Sequence, residues 1–296
     1  MSLDAKKLQK PFRKLHKSLK EFPAEPTPEQ VHDLRTNSRK IEAAMQAIGL
    51  DEKREGRSLL KAVAPIRKSA GKVRDMDVLT GFASTLVMKG TEEQCVVHLL
   101  EHLGAQRARS AGKLANAIDE HRSQARRRLK DYSMLIEESF VSPNDQTPEK
   151  SDWPATATAA ALQLSRELAA WPSLRTDNLH PYRLKIKQLR YILQLRDDPD
   201  DELAGALGDV KDTIGEWHDW TELDAIASKV LDHGNQCKVL QRIRSTRREK
   251  LEHAMSLTAQ LRRKHFPPPG GGHSTRRKQP VKLKEAVVIT SAKLAA

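Results

Sequence analysis

One helical pattern is written twice in this chain. Val31-His32-Asp33-Leu34-Arg35, continuing through Arg39-Lys40-Ile41, returns 148 residues later as Leu179-His180-Pro181-Tyr182-Arg183 through Lys187-Gln188-Leu189. Gly71-Lys72-Val73-Arg74-Asp75 returns 144 residues later as Gly215-Glu216-Trp217-His218-Asp219, and Arg67 falls opposite Lys211 in that register. Two matches in the same order at similar offsets indicate two related helical units. With only two copies, a compact pseudo-symmetric bundle is expected rather than a solenoid.

Between and around the repeats the apolar period is that of helices, and strand alternation is nearly absent. Helices are expected over about 28–49, 56–89, 92–103 and 106–140 in the first half. The second half should hold 157–171, 179–197, 201–233 and 235–265. The 28–49 helix opens on Thr27-Pro28-Glu29, a threonine cap followed by proline at the first helical position. Residues 141–156, VSPNDQTPEKSDWPAT, are dense in turn formers and read as the connection between the halves. The expected division is a folded unit over 1–266, with repeats over about 5–141 and 156–266. PPPGGG after Phe266 then opens a flexible basic tail, 267–296.

The repeated helices carry cations on one face. At 100° per residue, His32, Arg35 and Arg39 fall within about 60° of one another, and His180, Arg183, Lys187 and Arg190 within about 80°. Apolar residues form a separate stripe: Leu34, Ile41, Met45 and Ile48 in one copy, Tyr182, Ile186, Leu189 and Leu193 in the other. Like charges one turn apart repel by a few tenths of a kcal/mol per pair. A solvated charged face is the plain reading of one such stripe. Its repetition, with histidine at the head each time, favours an anion held against both.

The composition agrees. The 296 residues carry 52 Lys and Arg against 39 Asp and Glu, a formal charge of +13. The tail accounts for only +5 of this, so the folded part is itself basic and points to a polyanionic partner. No apolar run suits a membrane helix or a secretion signal, so a soluble cytoplasmic protein is expected. Cys95 and Cys237 stand far apart without C-x-x-C spacing, which argues against a disulfide scaffold and a cysteine zinc site.

With these residues in place, the sequence resembles the CHAD family, the conserved histidine α-helical domain. VHDLRTNSRKIEAAM with GKVRDMDVL, and LHPYRLKIKQLRYIL with IGEWHDW, look like its two repeats over roughly residues 5–266. The resemblance implies an all-α fold: two pseudo-symmetric four-helix repeats in one compact bundle, with basic residues lining a central groove. It implies inorganic polyphosphate as ligand and no catalytic activity, and it places the protein in the cytoplasm on polyphosphate granules. Carried over position by position, the binding surface comprises His32, Arg35, Arg39 and Lys40, then Arg67 and Arg74, then His180, Arg183, Lys187, Arg190 and Lys211. Arg and Lys suit phosphate oxygens because they give charge-assisted hydrogen bonds, Arg often through two donors. Asp75 and Asp219 read as groups that orient Arg74 and neighbouring cations. The copies differ at three places: Glu42 stands opposite Arg190, Gln188 opposite Lys40, and His218 replaces the arginine of R-D.

Nucleic acid is the rival partner, since it also presents phosphates. Base stacking, however, normally uses exposed aromatics. Only 4% of residues are aromatic, and Trp217 and Trp220 fall near the core stripe. A weak, non-specific nucleic-acid contact is assigned to the tail. His98-Leu99-Leu100-Glu101-His102 fits the H-x-x-E-H pattern of inverted zinc proteases. The plainer account is a surface turn of a short helix with His102 near its C-terminus. Neither a Walker loop nor the E-x-E-x-K strand of the triphosphatases fused to some CHAD proteins is present, so the chain reads as the stand-alone form. No cofactor and no protein metal site is expected, because crowded cations would repel a divalent ion.

Overall fold

The computed structural model describes residues 2–141, 153–198, 200–231 and 236–267. Among these lie eight helices in two sets of four: α1 (Ala5–Lys20), α2 (Pro28–Ala47), α3 (Arg54–Ser84) and α4 (Thr91–Val141), then α5 (Trp153–Ala169), α6 (Thr176–Gln194), α7 (Asp201–Val230) and α8 (Lys238–His265). The basic tail expected from 267 onward lies, from residue 268, outside the described residues, as does most of the expected connection between the halves.

Local chemistry sets the helix starts. Thr27 Oγ1 accepts from the Gln30 amide at 3.3 Å while Gln30 Oε1 accepts from the Thr27 amide at 2.9 Å, closing a capping box on α2. Asp4 caps α1 and Asp200 caps α7 through their carboxylates.

Two helices depart from the sequence expectation. The helix α1 lies outside the expected set, yet it is strongly amphipathic: Leu8, Phe12, Leu15 and Leu19, spaced by four, three and four, are fully buried. Pro11 and the dense lysines disguised it. Conversely, the expected helices 92–103 and 106–140 are one helix of 51 residues, about 76 Å long. Gly104 sits in open space and costs the helix only about 1 kcal/mol, which packing on either side overrides. Trp153, assigned to the connection, instead begins α5 and is buried.

The apolar stripes of α2 and α6 are buried as the period requires. They join one core shared by both repeats, in which Trp217 is also buried. A second core lies where the α3–α4 and α7–α8 turns meet, with Trp220 stacked on Phe82 at 5.0 Å and 6°. Burying these indoles removes them from base stacking. Cys95 and Cys237, distant in sequence, come together beside this second core; both are free thiols, and that of Cys95 is raised by burial and by the Cys237 thiol next to it.

Like packs against like across the centre, α2 on α6 and α3 on α7, as a pseudo-two-fold relation demands. The repeats are also stitched at their ends. Asp4 N donates to the Leu195 carbonyl at 2.9 Å and Asp197 N to that of Ser2 at 3.3 Å, pinning the start of α1 to the end of α6.

Candidate polyanion-binding groove

The two histidine helices bring their cationic faces together at the centre of the bundle. Arg35 of α2 is within electrostatic reach of Arg39 and of Arg183 on α6. Lys187 lies among Arg39, Arg35, Arg183 and Lys211. Burial first, and then those four cations in that order, push the Lys187 ammonium down to about 7. It also stands 5.6 Å above the ring of Tyr191. A cluster this crowded with like charge is unfavourable by itself and is relieved by an anion.

Glycines let the arginines lie flat. A Cβ at Gly215 would come 2.7 Å from an Arg183 Nη, and one at Gly71 would be 3.6 Å from Arg35 Nε. These are the glycines of the second repeated motif, so each histidine-helix arginine rests on the glycine of the next helix in its own repeat. Arg183 Nε donates to the Lys211 carbonyl at 2.8 Å, which fixes the guanidinium plane. Arg190 does likewise, packing on Gly208 and donating to the Ala204 carbonyl at 3.2 Å.

Each histidine meets a basic group from the following helix. His32 is near Arg74, while the His180 ring lies tilted against that of His218 with centroids 4.4 Å apart. Burial, aided by Arg74, lowers His32; burial, aided by His218, lowers His180. His218 is raised instead, chiefly by the Asp219 carboxylate beside it. His180 Nδ1 and Arg39 Nε have no hydrogen-bond partner among the described residues.

The aspartates face the neighbouring cations. The largest attraction on Asp75 comes from Arg35, with His218 a further one. Asp219 faces His218 at 3.8 Å and also Arg183. Partial burial raises Asp75, Arg35 pulls it back, and Asp219 raises it again, so the two repeated aspartates approach each other near the centre. Asp77 is structural: it takes a 2.6 Å bond from Arg107, which clamps α3 to α4.

Of the eleven residues expected at the surface, Arg67 stands apart. Glu42 pairs with it at 3.1 Å and reaches Arg39 at 4.0 Å, so this edge of the groove is partly neutralised. Lys211 pairs with its neighbour Asp212. At the other edge, Lys40 has Lys14 and Lys10 of α1 as neighbours, with Arg190 beyond. Those α1 lysines were missed because the helix carrying them was missed. Seven Lys or Arg with no acid between residues 5 and 20 was the available signal.

The H-x-x-E-H pattern lies on the outer side of α4, with His98 and Glu101 exposed. His102 touches Gln106 at 3.5 Å and sits well inside the helix, so the expected C-terminal placement does not hold. Among the described residues no group of three or more His, Cys, Asp or Glu is placed to hold a metal ion. No described helix is long and apolar enough to cross a membrane.

An all-α bundle of two four-helix repeats, with paired histidine helices presenting cations to one groove, defines the class. The CHAD domain model matches residues 6–228, three quarters of the sequence, and the chain belongs to the CHAD family. That family is associated with polyphosphate. The match ends within α7, although α8 packs along the same helix. Among solved structures the fold is similar to that of PptA from Streptomyces chartreusis, at TM-score 0.63 and 19% identity, over 88% of this chain and 98% of that one. No curated protein sequence matches this chain.

Proposed function

We propose that this protein holds long-chain inorganic polyphosphate in the groove between α2 and α6, without chemistry on the polymer, and that this binding places it on polyphosphate granules. The binding unit is residues 1–266. The observation that carries the reading is the convergence of Arg35, Arg39, Arg183 and Lys187 from two symmetry-related helices, where burial first and the neighbouring cations second push Lys187 down to about 7. Flat, glycine-backed guanidiniums suit phosphate oxygens along a polymer. Each contact is modest, but contacts along one chain add because only the first bears the full association entropy. His32, Arg74, His180, Arg190, Lys40 and Lys211 extend the surface, whereas Arg67, tied to Glu42, contributes least.

Calorimetric titration of the whole protein with long-chain polyphosphate, beside single-stranded DNA matched in phosphate, tests it. Arg35→Glu with Arg183→Glu should weaken polyphosphate binding at least about 100-fold, and Lys187→Gln, a milder change, about tenfold, with helicity by circular dichroism retained. Retained binding in both variants would refute the groove, and equal parental affinity for DNA would make the charge generic.

A further inference from the structure

The pseudo-two-fold relation makes one cavity twice, and only one copy is basic. The first, about 440 Å³, lies between α1, α2 and α6, against Lys10, Lys14, Lys40 and Tyr191. The second, about 240 Å³, lies between α5, α6 and α2, against Gln163, Glu167, Gln188 and Ala43. The 148-residue offset carries Lys40 onto Gln188 and Ala43 onto Tyr191, and a common shift of 153 carries Lys10 onto Gln163 and Lys14 onto Glu167. These are therefore the same positions with different chemistry.

In the second cavity charge is consumed internally. Lys185 binds Glu167 at 2.7 Å, and Gln163 donates to the same carboxylate at 3.1 Å. In the first, four lysines line the walls against one acid, Asp201. Lys7 is engaged by the Arg196 carbonyl at 2.7 Å, while Lys10 and Lys14 are exposed and press on Lys40. Tyr191 links this cavity to the groove, since it lines the former and stands among Arg190, Arg35, Arg39 and Arg183 of the latter. The pinning of residues 2–4 to the end of α6 holds α1 at that groove end.

We propose that, of these two symmetry-related cavities, only one is a polymer exit: a polyphosphate chain seated on the two histidine helices leaves through the lysine cavity and along α1, while the cavity at α5 is closed to it. This rests on the polyphosphate reading above. Bound polymer then has a direction on the protein, and affinity rises with length beyond what the groove alone holds.

The test converts the open cavity into its mate with Lys10→Gln and Lys14→Glu, in the full chain, and titrates long-chain polyphosphate, a short oligophosphate and single-stranded DNA. Long-chain affinity should fall at least about tenfold and its salt dependence should flatten, because each lost lysine–phosphate contact removes roughly one released counterion. Short-oligophosphate affinity should stay within about twofold. The neutral pair Lys10→Ala with Lys14→Ala, which adds no carboxylate, should still lose at least about threefold on the long chain. An unchanged long-chain affinity would overturn the exit and leave the groove standing. Equal losses on long and short chains would also overturn it, by making the lysines part of the central seat. A loss confined to DNA would reassign the cavity to nucleic acid. If the parent protein bound neither phosphate, the polyphosphate reading itself would fall, and the exit with it.

Discussion

The opening helices of the two repeats, α1 and α5, occupy equivalent places and have little else in common. Over its 16 residues α1 carries seven Lys or Arg and no acid, whereas α5, over 17, carries one arginine and one glutamate. The histidine helices behind them have diverged far less, keeping His, Arg and a basic third position in register. The difference teaches where duplication leaves freedom. The inner helices face each other across the centre, so a change in one is felt by the other. The outer helices are not paired in this way, so α1 could become a cationic rail without disturbing its counterpart.

The sharpest way to break this comparison is to ask whether α1 is a detachable arm. Phe12 is fully buried in the common core, so Phe12→Ala should cost about 3–5 kcal/mol in chemical denaturation, against almost nothing for Lys10→Ala. A cost under about 1 kcal/mol for Phe12→Ala would mean that α1 decorates the bundle rather than building it.

The next largest effect is a pH dependence that divides the copies, since the lysine pushed down to about 7 belongs to α6. An anion beside Lys187 raises its pKa toward the ordinary lysine value, so binding takes up a proton above neutrality. Affinity should therefore fall as pH rises from 7 toward 9, by at most about tenfold per pH unit for one proton. Titrations in buffers of different ionisation heat read that uptake directly, and Lys187→Gln should abolish it. For folding the sign is opposite. A lysine depressed in the native state leaves more protons on the unfolded chain, so its contribution to stability grows as pH climbs from about 7 toward the unfolded value.

The smallest expected effect sharpens the comparison of the two arginine seats. A methyl at Gly215 must displace the Arg183 guanidinium, but at Gly71 it meets Arg35 at ordinary contact distance. Gly215→Ala should lower polyphosphate affinity about three- to fivefold with little change in melting temperature, because the displaced group is the flexible end of a side chain. Gly71→Ala should be near neutral by the same titration. Equal effects would mean that the two seats are used alike.

Much of the inner architecture was legible beforehand. His32 and His180, their cationic faces and the buried stripes of α2 and α6 follow from side-chain order on a helix, a relation within one or two turns. The threonine cap at Thr27 was legible for the same reason, whereas the two helices expected over 92–103 and 106–140 are one, because packing along α4 outweighs a local cost of about 1 kcal/mol at Gly104. The partnerships were not legible. Asp75 with Arg35, Glu42 with Arg67, and Lys40 with Lys14 join residues that lie 40, 25 and 26 positions apart.

What the sequence determined by itself is the duplicated helical unit, its basic and apolar faces and its excess of positive charge. All of these are set by local periodicity and composition. Only the tertiary structure decided which cations share a groove, that α1 lines one end of it with lysines, and that the matching place at α5 is neutralised by Lys185 and Glu167. Those outcomes depend on how helices far apart in the chain cross and pack, and helix crossings are fixed by the whole core rather than by any one stretch of residues.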